Sequence, residues 1–471
     1  MTDRADSRPA AAGDEAKRYG KTAGLLGLGV GATGLITYVY FALASHNLDK
    51  QEYGELVVLW SAVFITVSVL YRPVEQLLSR TIADREARGE PIGGPVRIAA
   101  TIQGGLALLF AIVALAFKGP LTDDLLSGNE TLFWILVGAV LAYAASYFAR
   151  GFFAGTRRFP LYAALMLFES IARTGFALAV AIGIASGQSV VAMGIIVAPF
   201  ASLMVVPLAI VRRMRREQPA GGPASDGAGP QADGATPAFT LAHGSGFAAA
   251  VLLIMLSEQA FLNAGPLLVN SSIGAAAAGF IFNVLMIARA PLQLFQAVAT
   301  SLLPHLTRLR SAAPEAGEEA FRLSVRSTLW AIAGFAGLVG IVVAVAGPTM
   351  MQLAFGDKFT YDRVDLLIVT AGMGLYLCAA TLNQAALAQG QVRRAAACFV
   401  ACAVLFVAWS LVPVVEDEFR RIEVGFTTAA ALLSGLLYLL YRRPHARTED
   451  IPAPGSPEEL EARLAAADEV G

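Results

Sequence analysis

Residues Arg212–Ala238 read RRMRREQPAGGPASDGAGPQADGATPA. Four arginines lead into a run of Gly, Pro, Ala and Asp with no large apolar side chain. Such a stretch cannot bury a core, so residues 212–240 are expected to be a flexible linker. On either side the chemistry reverses. Upstream, apolar blocks fall near 22–45, 54–78, 96–117, 132–154, 160–186 and 189–211. Downstream they fall near 243–269, 273–304, 324–347, 364–389, 393–414 and 423–441. Apolar blocks of about 20 residues read as transmembrane helices. The linker therefore divides six spans from six.

This predicts an all-α polytopic membrane protein with 12 transmembrane helices in two six-helix lobes. Its parts are a cytoplasmic tail (1–20), a first lobe (21–211), the linker (212–240), a second lobe (241–441) and a cytoplasmic tail (442–471). Composition agrees: 56% of the 471 residues are hydrophobic and 15% charged, against about 25% charged in soluble domains. That excludes an ordinary soluble enzyme and a disordered chain. Barrel strands are excluded because the blocks are too long and lack two-residue alternation. The polar segment Met1–Gly20 precedes the first block without a small-residue cleavage site, so that block reads as an uncleaved span.

The basic residues set an orientation. Of 35 Lys and Arg, 26 fall in the tails and the even-numbered loops, Arg150, Arg157 and Arg158 being counted with the fourth loop, and six in the odd-numbered loops. The remaining three, Arg72, Arg173 and Arg289, lie inside spans. Under the positive-inside rule both termini are cytoplasmic. The net charge of −1 says nothing about partners, and no nucleic acid is expected. Cys378, Cys398 and Cys402 sit in apolar blocks without metal-ligand company. They read as small packing residues, with no disulfide, metal site or cofactor expected.

The two halves echo each other. Tyr71-Arg72-Pro73 in span two is matched by Arg289-Ala290-Pro291 in span eight, and Gly155-Thr156-Arg157-Arg158 after span four by Gly390-Gln391-Val392-Arg393-Arg394 after span ten. Each partner lies six spans on, in the same orientation, which is the plan of two-lobed transporters that bind substrate between lobes.

Polar residues inside the membrane are costly, about 2.5–3.5 kcal/mol for a central charge on insertion scales. The chain carries Arg72 and Glu75 in span two, Glu169 and Arg173 in span five, and Glu258, Gln259 and Asn263 in span seven. Span eight adds Asn283, Arg289, Gln293 and Gln296, and span ten adds Asn383 and Gln384. Arg72/Glu75 and Glu169/Arg173 have the spacing of self-satisfied helical pairs, and the amides have the chemistry of helix-bridging groups. Arg289 and Glu258 lack an opposite charge on their own helices and need partners elsewhere. Arginine suits a phosphate because its planar donors chelate two oxygens. The expected substrate site is therefore Arg72, Arg173, Arg289, Asn283, Gln293, Asn263 and Asn383. Glu75, Glu169 and Glu258 are expected to balance charge or couple an ion. Pro73, Pro160, Pro199, Pro207, Pro291 and Pro304 are candidate kinks. No Walker loop, serine triad or zinc motif is visible and no soluble stretch is long enough for a catalytic domain, so no enzyme activity is expected.

Ala288–Leu306, ARAPLQLFQAVATSLLPHL, resembles the eighth helix of flippases in the multidrug/oligosaccharidyl-lipid/polysaccharide exporter superfamily. There an arginine or small polar residue precedes a proline, and Leu-Pro closes the helix. Leu48–Leu56, LDKQEYGEL, resembles the polysaccharide-flippase pattern in which an acidic residue and Tyr-Gly open the second helix. The resemblance implies a V-shaped bundle like that of the MATE transporters. It implies flipping of a polyprenyl-pyrophosphate-linked oligosaccharide across the bacterial cytoplasmic membrane, from the inner to the outer face. Implied partners are the lipid bilayer, the lipid-linked substrate, and a polysaccharide polymerase or glycosyltransferases. Thr22–Ser45 contains no acidic residue, unlike the first helix of many drug exporters. The lipid II flippase branch has 14 helices rather than 12. Both departures point to the polysaccharide branch. Competing readings are a multidrug antiporter of the same superfamily, a major-facilitator transporter and a non-transporting scaffold for glycan assembly. The second loop, SRTIADREARG at 79–89, matches the major-facilitator loop pattern poorly.

Overall fold

The computed structural model describes residues 29–204, 241–286, 289 and 314–442, apart from 30 and 414. The expected linker, the N-terminal tail, residues 443–471 of the C-terminal tail, Gln293, Gln296, Pro207, Pro291 and Pro304 lie outside the described residues. So does the Ser456-Pro457-Glu458-Glu459 stretch, whose capping-box pattern predicts a short helix in the C-terminal tail.

The described residues are helical, without strands. In chain order the helices are α1 (31–47), α2 (Lys50–Leu70), α3 (Arg72–Arg88), α4 (Gly93–Ala116), α5 (Glu130–Gly155), α6 (Phe159–Ala181) and α7 (Gln188–Leu203). They continue with α8 (Leu241–Ser272), α9 (Ala275–Met286), α10 (Pro314–Phe355), α11 (Arg363–Ala388), α12 (Val392–Leu411) and α13 (Glu418–Arg442). Nine apolar helical stretches among the described residues are long enough to cross a membrane, α2 and α3 counting as one, and α7 and α9 are shorter apolar helices.

Local chemistry explains the boundaries. Asp49 caps α2: its side chain accepts from the Glu52 amide at 2.8 Å, and Glu52 accepts from the Asp49 amide at 3.2 Å. The acidic residue of LDKQEYGEL is thus half of a capping box. Pro73 stands just after the break between α2 and α3, within one apolar stretch from Lys50 to Glu86, whereas Pro160 opens α6. Pro160 is in a first turn, where a missing amide costs nothing. Pro199 lies inside α7. The ninth span, expected at 324–347, is the middle of the longer α10. The apolar window marks the bilayer-crossing part, and the helix runs on past it at both ends.

In the first half α6 packs on α7, and α5 packs on α3, α4 and α7; in the second, α11 packs on α10 and α13, and α12 on α8 and α13. The pairing of α2 with α8 joins the halves. An aromatic cluster reinforces this junction: Phe41 meets Phe282 at 4.5 Å between ring centroids and Trp60 at 4.9 Å. The peripheral helices α4 and α10 turn Ile98, Leu108, Ile112, Trp330, Ile341 and Val345 outward, apolar surface that suits lipid rather than water.

Candidate functional site

The site starts from a close helix contact. A Cβ added at Gly151 of α5 would lie 2.8 Å from the Glu75 carbonyl oxygen of α3, and one at Gly155 would lie 2.9 Å from that of Ser79. Small residues let the two backbones approach, and the approach seats Arg150 beside Glu75.

Arg150 is buried within α5. Its Nη2 donates to Glu169 Oε2 of α6 at 2.6 Å. Glu169 also accepts from Tyr143 Oη at 2.8 Å and Ser146 Oγ at 3.1 Å. Arg173, one turn from Glu169, lies 4.0 Å from it and donates to Tyr143 Oη and Thr37 Oγ1, each at 3.2 Å. The expected helical pair Glu169/Arg173 is therefore the weaker partnership. Aromatic faces complete the setting, Trp60 under the Arg173 guanidinium at 4.5 Å and Tyr147 under that of Arg150 at 4.6 Å.

From Arg150 the charges continue toward the second half. Glu75 interacts with both Arg150 and Arg72 and accepts from Tyr162 Oη at 3.1 Å. Arg72 in turn interacts with Glu258 of α8. Tyr376 of α11 lies in the field of Glu258, Arg72 and Arg289 together. Arg289 ends the series. Its Nη2 reaches Asn263 Oδ1 at 3.4 Å, Asn263 donates to Gln259 at 2.9 Å, and the guanidinium lies 5.6 Å from the Phe282 ring centre.

The order is Arg173, Glu169, Arg150, Glu75, Arg72, Glu258, and then Arg289 beyond Tyr376. Charges alternate along it, which offsets the cost of desolvating each one. Four guanidiniums face three carboxylates, leaving a formal excess of one positive charge. Arg150, Glu169 and Arg173 are buried, whereas Arg72, Glu75, Glu258 and Arg289 are half-buried. The series therefore runs from inside the first half to the meeting of the two halves.

Six of the expected charged residues, Arg289 among them, are thus brought into one network with Asn263. Asn283 is engaged elsewhere, accepting from Tyr53 Oη at 2.5 Å and donating to Tyr361 Oη at 3.0 Å. Asn383 is buried on α11, and its Oδ1 has no hydrogen-bond partner among the described residues. Sequence reasoning counted Arg150 among the loop arginines with Arg157 and Arg158, and it overlooked Tyr143, Tyr162 and Tyr376. The signal for Arg150 was present: it falls inside the apolar block 132–154, and in the fold it stands five residues before the end of α5.

Three structural likenesses decide the fold. An inward-facing multidrug resistance MATE family transporter of the MOP superfamily superposes with a TM-score of 0.66 over 89% of this chain and 97% of its own, at 11% identity. The fold is that of the MATE transporters. The eukaryotic MATE transporter AtDTX14 gives 0.60 over 91% and 96% at 13% identity. A mutant of the Vibrio cholerae MATE transporter VcmN gives 0.58 over 90% and 96% at 17% identity. By sequence, no family model and no curated protein matches. On this MATE fold the alternating charges cross from one half to the other through Arg72 and Glu258.

Proposed function

We propose that the chain is an alternating-access transporter that flips a polyprenyl-pyrophosphate-linked oligosaccharide from the inner to the outer face of the bacterial cytoplasmic membrane, for cell-surface polysaccharide synthesis. The observation that carries this reading is the uneven charge balance. Arg289 ends the series without a carboxylate against it among the described residues, next to Asn263, at the meeting of the halves. A guanidinium so placed is suited to a phosphate, and the neighbouring amides have the donors and acceptors for sugar hydroxyls. Lipid-linked glycan, bilayer, and a polymerase or glycosyltransferases are the partners this function requires.

The test is flipping of a labelled polyprenyl-pyrophosphoryl glycan in proteoliposomes. Wild type should expose the label to the opposite face, and Arg289→Ala should abolish exposure while reconstituting equally well. Full activity of Arg289→Ala would overturn the headgroup role.

A second reading, an ion-coupled multidrug antiporter, draws on the half-buried Glu75 and Glu258, which suit a cationic drug. Efflux of cationic dyes from cells, with no flipping of lipid-linked glycan, would favour it. The likeness to MATE structures sets the major-facilitator reading aside.

A further inference from the structure

Apart from the Arg72–Glu258 link, a set of contacts joins the halves at one end of the bundle, and it includes a device of unusual specificity. Lys358 follows α10 in the second half, yet its ammonium reaches the last turn of α1 in the first. It donates to the carbonyl oxygens of Ser45 at 3.0 Å, His46 at 3.2 Å, and Leu48. An ammonium has three donors, so all three are spent on one helix terminus. The carbonyls at a helix C-terminus lack intrahelical partners and carry the negative end of its dipole. Ser45 Oγ returns a bond to the Phe355 carbonyl at 2.5 Å.

Beside this lies a second tie, Tyr53 to Asn283 to Tyr361, again crossing from first half to second. Burial holds the Tyr361 phenol above its ordinary pKa, so it stays neutral and bonded across the physiological range. Between the two ties the backbones touch. A Cβ added at Gly54 of α2 would lie 1.8 Å from the Ala275 carbonyl oxygen of α9. Only glycine allows this approach.

The arginine distribution makes this end the extracytoplasmic one, because the α1–α2 turn and the 356–362 segment are odd-numbered loops. We propose that the contact is a closed external gate, with Lys358 as its latch and Gly54 as the seat on which the halves close. The structure is then the state sealed on the outside. Opening requires Lys358 to leave three carbonyls that water can solvate in its place. Ser45 and Leu48 are buried in the sealed state, so release depends on water entering as the halves part; withdrawal without it would leave buried groups unpaired. The device rests on the transporter reading, but its test involves no substrate. Failure here would leave the headgroup role of Arg289 untouched, and failure of glycan flipping would leave the gate untouched.

The experiment measures distance across the gate by double electron–electron resonance in lipid nanodiscs. Spin labels go on cysteines placed at the exposed Asn47 and Thr360, with Cys378, Cys398 and Cys402 replaced by alanine. The parent should show a predominant short distance. Lys358→Met should shift population to a second, longer distance, and Gly54→Ala should remove the short one because its added carbon cannot occupy the seat. An unchanged distribution in Lys358→Met, with the longer distance seen in Gly54→Ala, overturns the latch. Unchanged distributions in both variants overturn the gate.

Discussion

Arg150 and Glu169 form a buried ion pair inside the first half, 2.6 Å apart. The pair is asymmetric. Glu169 holds two hydroxyl donors besides Arg150 and has Arg173 at 4.0 Å. Among the described residues Arg150 has only one carboxylate in bonding contact, and its Nε is unbonded. Breaking a buried pair by deleting one partner typically costs about 3–5 kcal/mol, because the other charge is stranded.

The two deletions should therefore differ. Glu169→Leu strands two arginines and should cost the more. Arg150→Met leaves a glutamate still held by Tyr143, Ser146 and Arg173. Thermal unfolding in detergent should place the midpoint of Glu169→Leu clearly below that of Arg150→Met. Equal midpoints would mean that Arg173 draws no support from Glu169.

Gly151 should tolerate no side chain. Its added Cβ meets the Glu75 backbone of α3, and backbone cannot rotate away. Gly151→Ala should destabilise by about 1–3 kcal/mol, the usual cost of overpacking, and Gly151→Leu should prevent folding. Gly104→Ala on α4, where nothing lies within 4 Å, should hold or raise the unfolding midpoint, alanine being the better helix former. Comparing the three variants in one unfolding assay checks the close contact of α3 and α5.

Topology has its own check. The arginine asymmetry predicts that residues 212–240 lie on the cytoplasmic side. Trypsin added to inverted membrane vesicles should cut at Arg212–Arg216 and yield two membrane-bound halves, while right-side-out cells resist. Cleavage confined to right-side-out cells would invert the orientation, and with it the side assigned to the Lys358 gate.

The helical, membrane-spanning character was legible because burial in lipid forces long apolar runs, and the Arg-Pro echo marked the two arginines that share the field of Tyr376. Partnerships were not legible. Glu169 and Arg173 have ideal spacing for a pair, but the third dimension supplied Arg150, which sequence position had assigned to a loop. Asn283 stands out as a candidate substrate-site residue because it is polar in an apolar run, and in the fold it is bonded to Tyr53 and Tyr361. Tyrosines escaped notice because an aromatic residue in a membrane span carries no penalty that demands explanation, although Tyr143, Tyr162 and Tyr376 adjoin the charged groups. Hydrophobic patterning reports which residues are inside, and it is silent on which of them meet.

Glu258 faces Arg72 across the two halves, so its charge couples their relative position to the charge balance of the site. With Glu258 ionised, the series carries one excess positive charge. With Glu258 neutral it carries two, matching the two negative charges of a pyrophosphate diester. A proton arriving on Glu258 would thus free Arg72 for the headgroup, and departure of the headgroup would favour return of the carboxylate. Glu258→Gln fixes the neutral state. The variant should bind the anionic headgroup more tightly, about tenfold for each 1.4 kcal/mol that Arg72 gains, but it should lose any dependence of transport on an imposed proton gradient. Proteoliposomes with proton, sodium or electrical gradients measure both quantities. Wild type should respond to the proton gradient and Glu258→Gln should not. Flipping that ignores every gradient in both proteins would assign Glu258 a structural role as the counter-charge of Arg72 and sink the coupling.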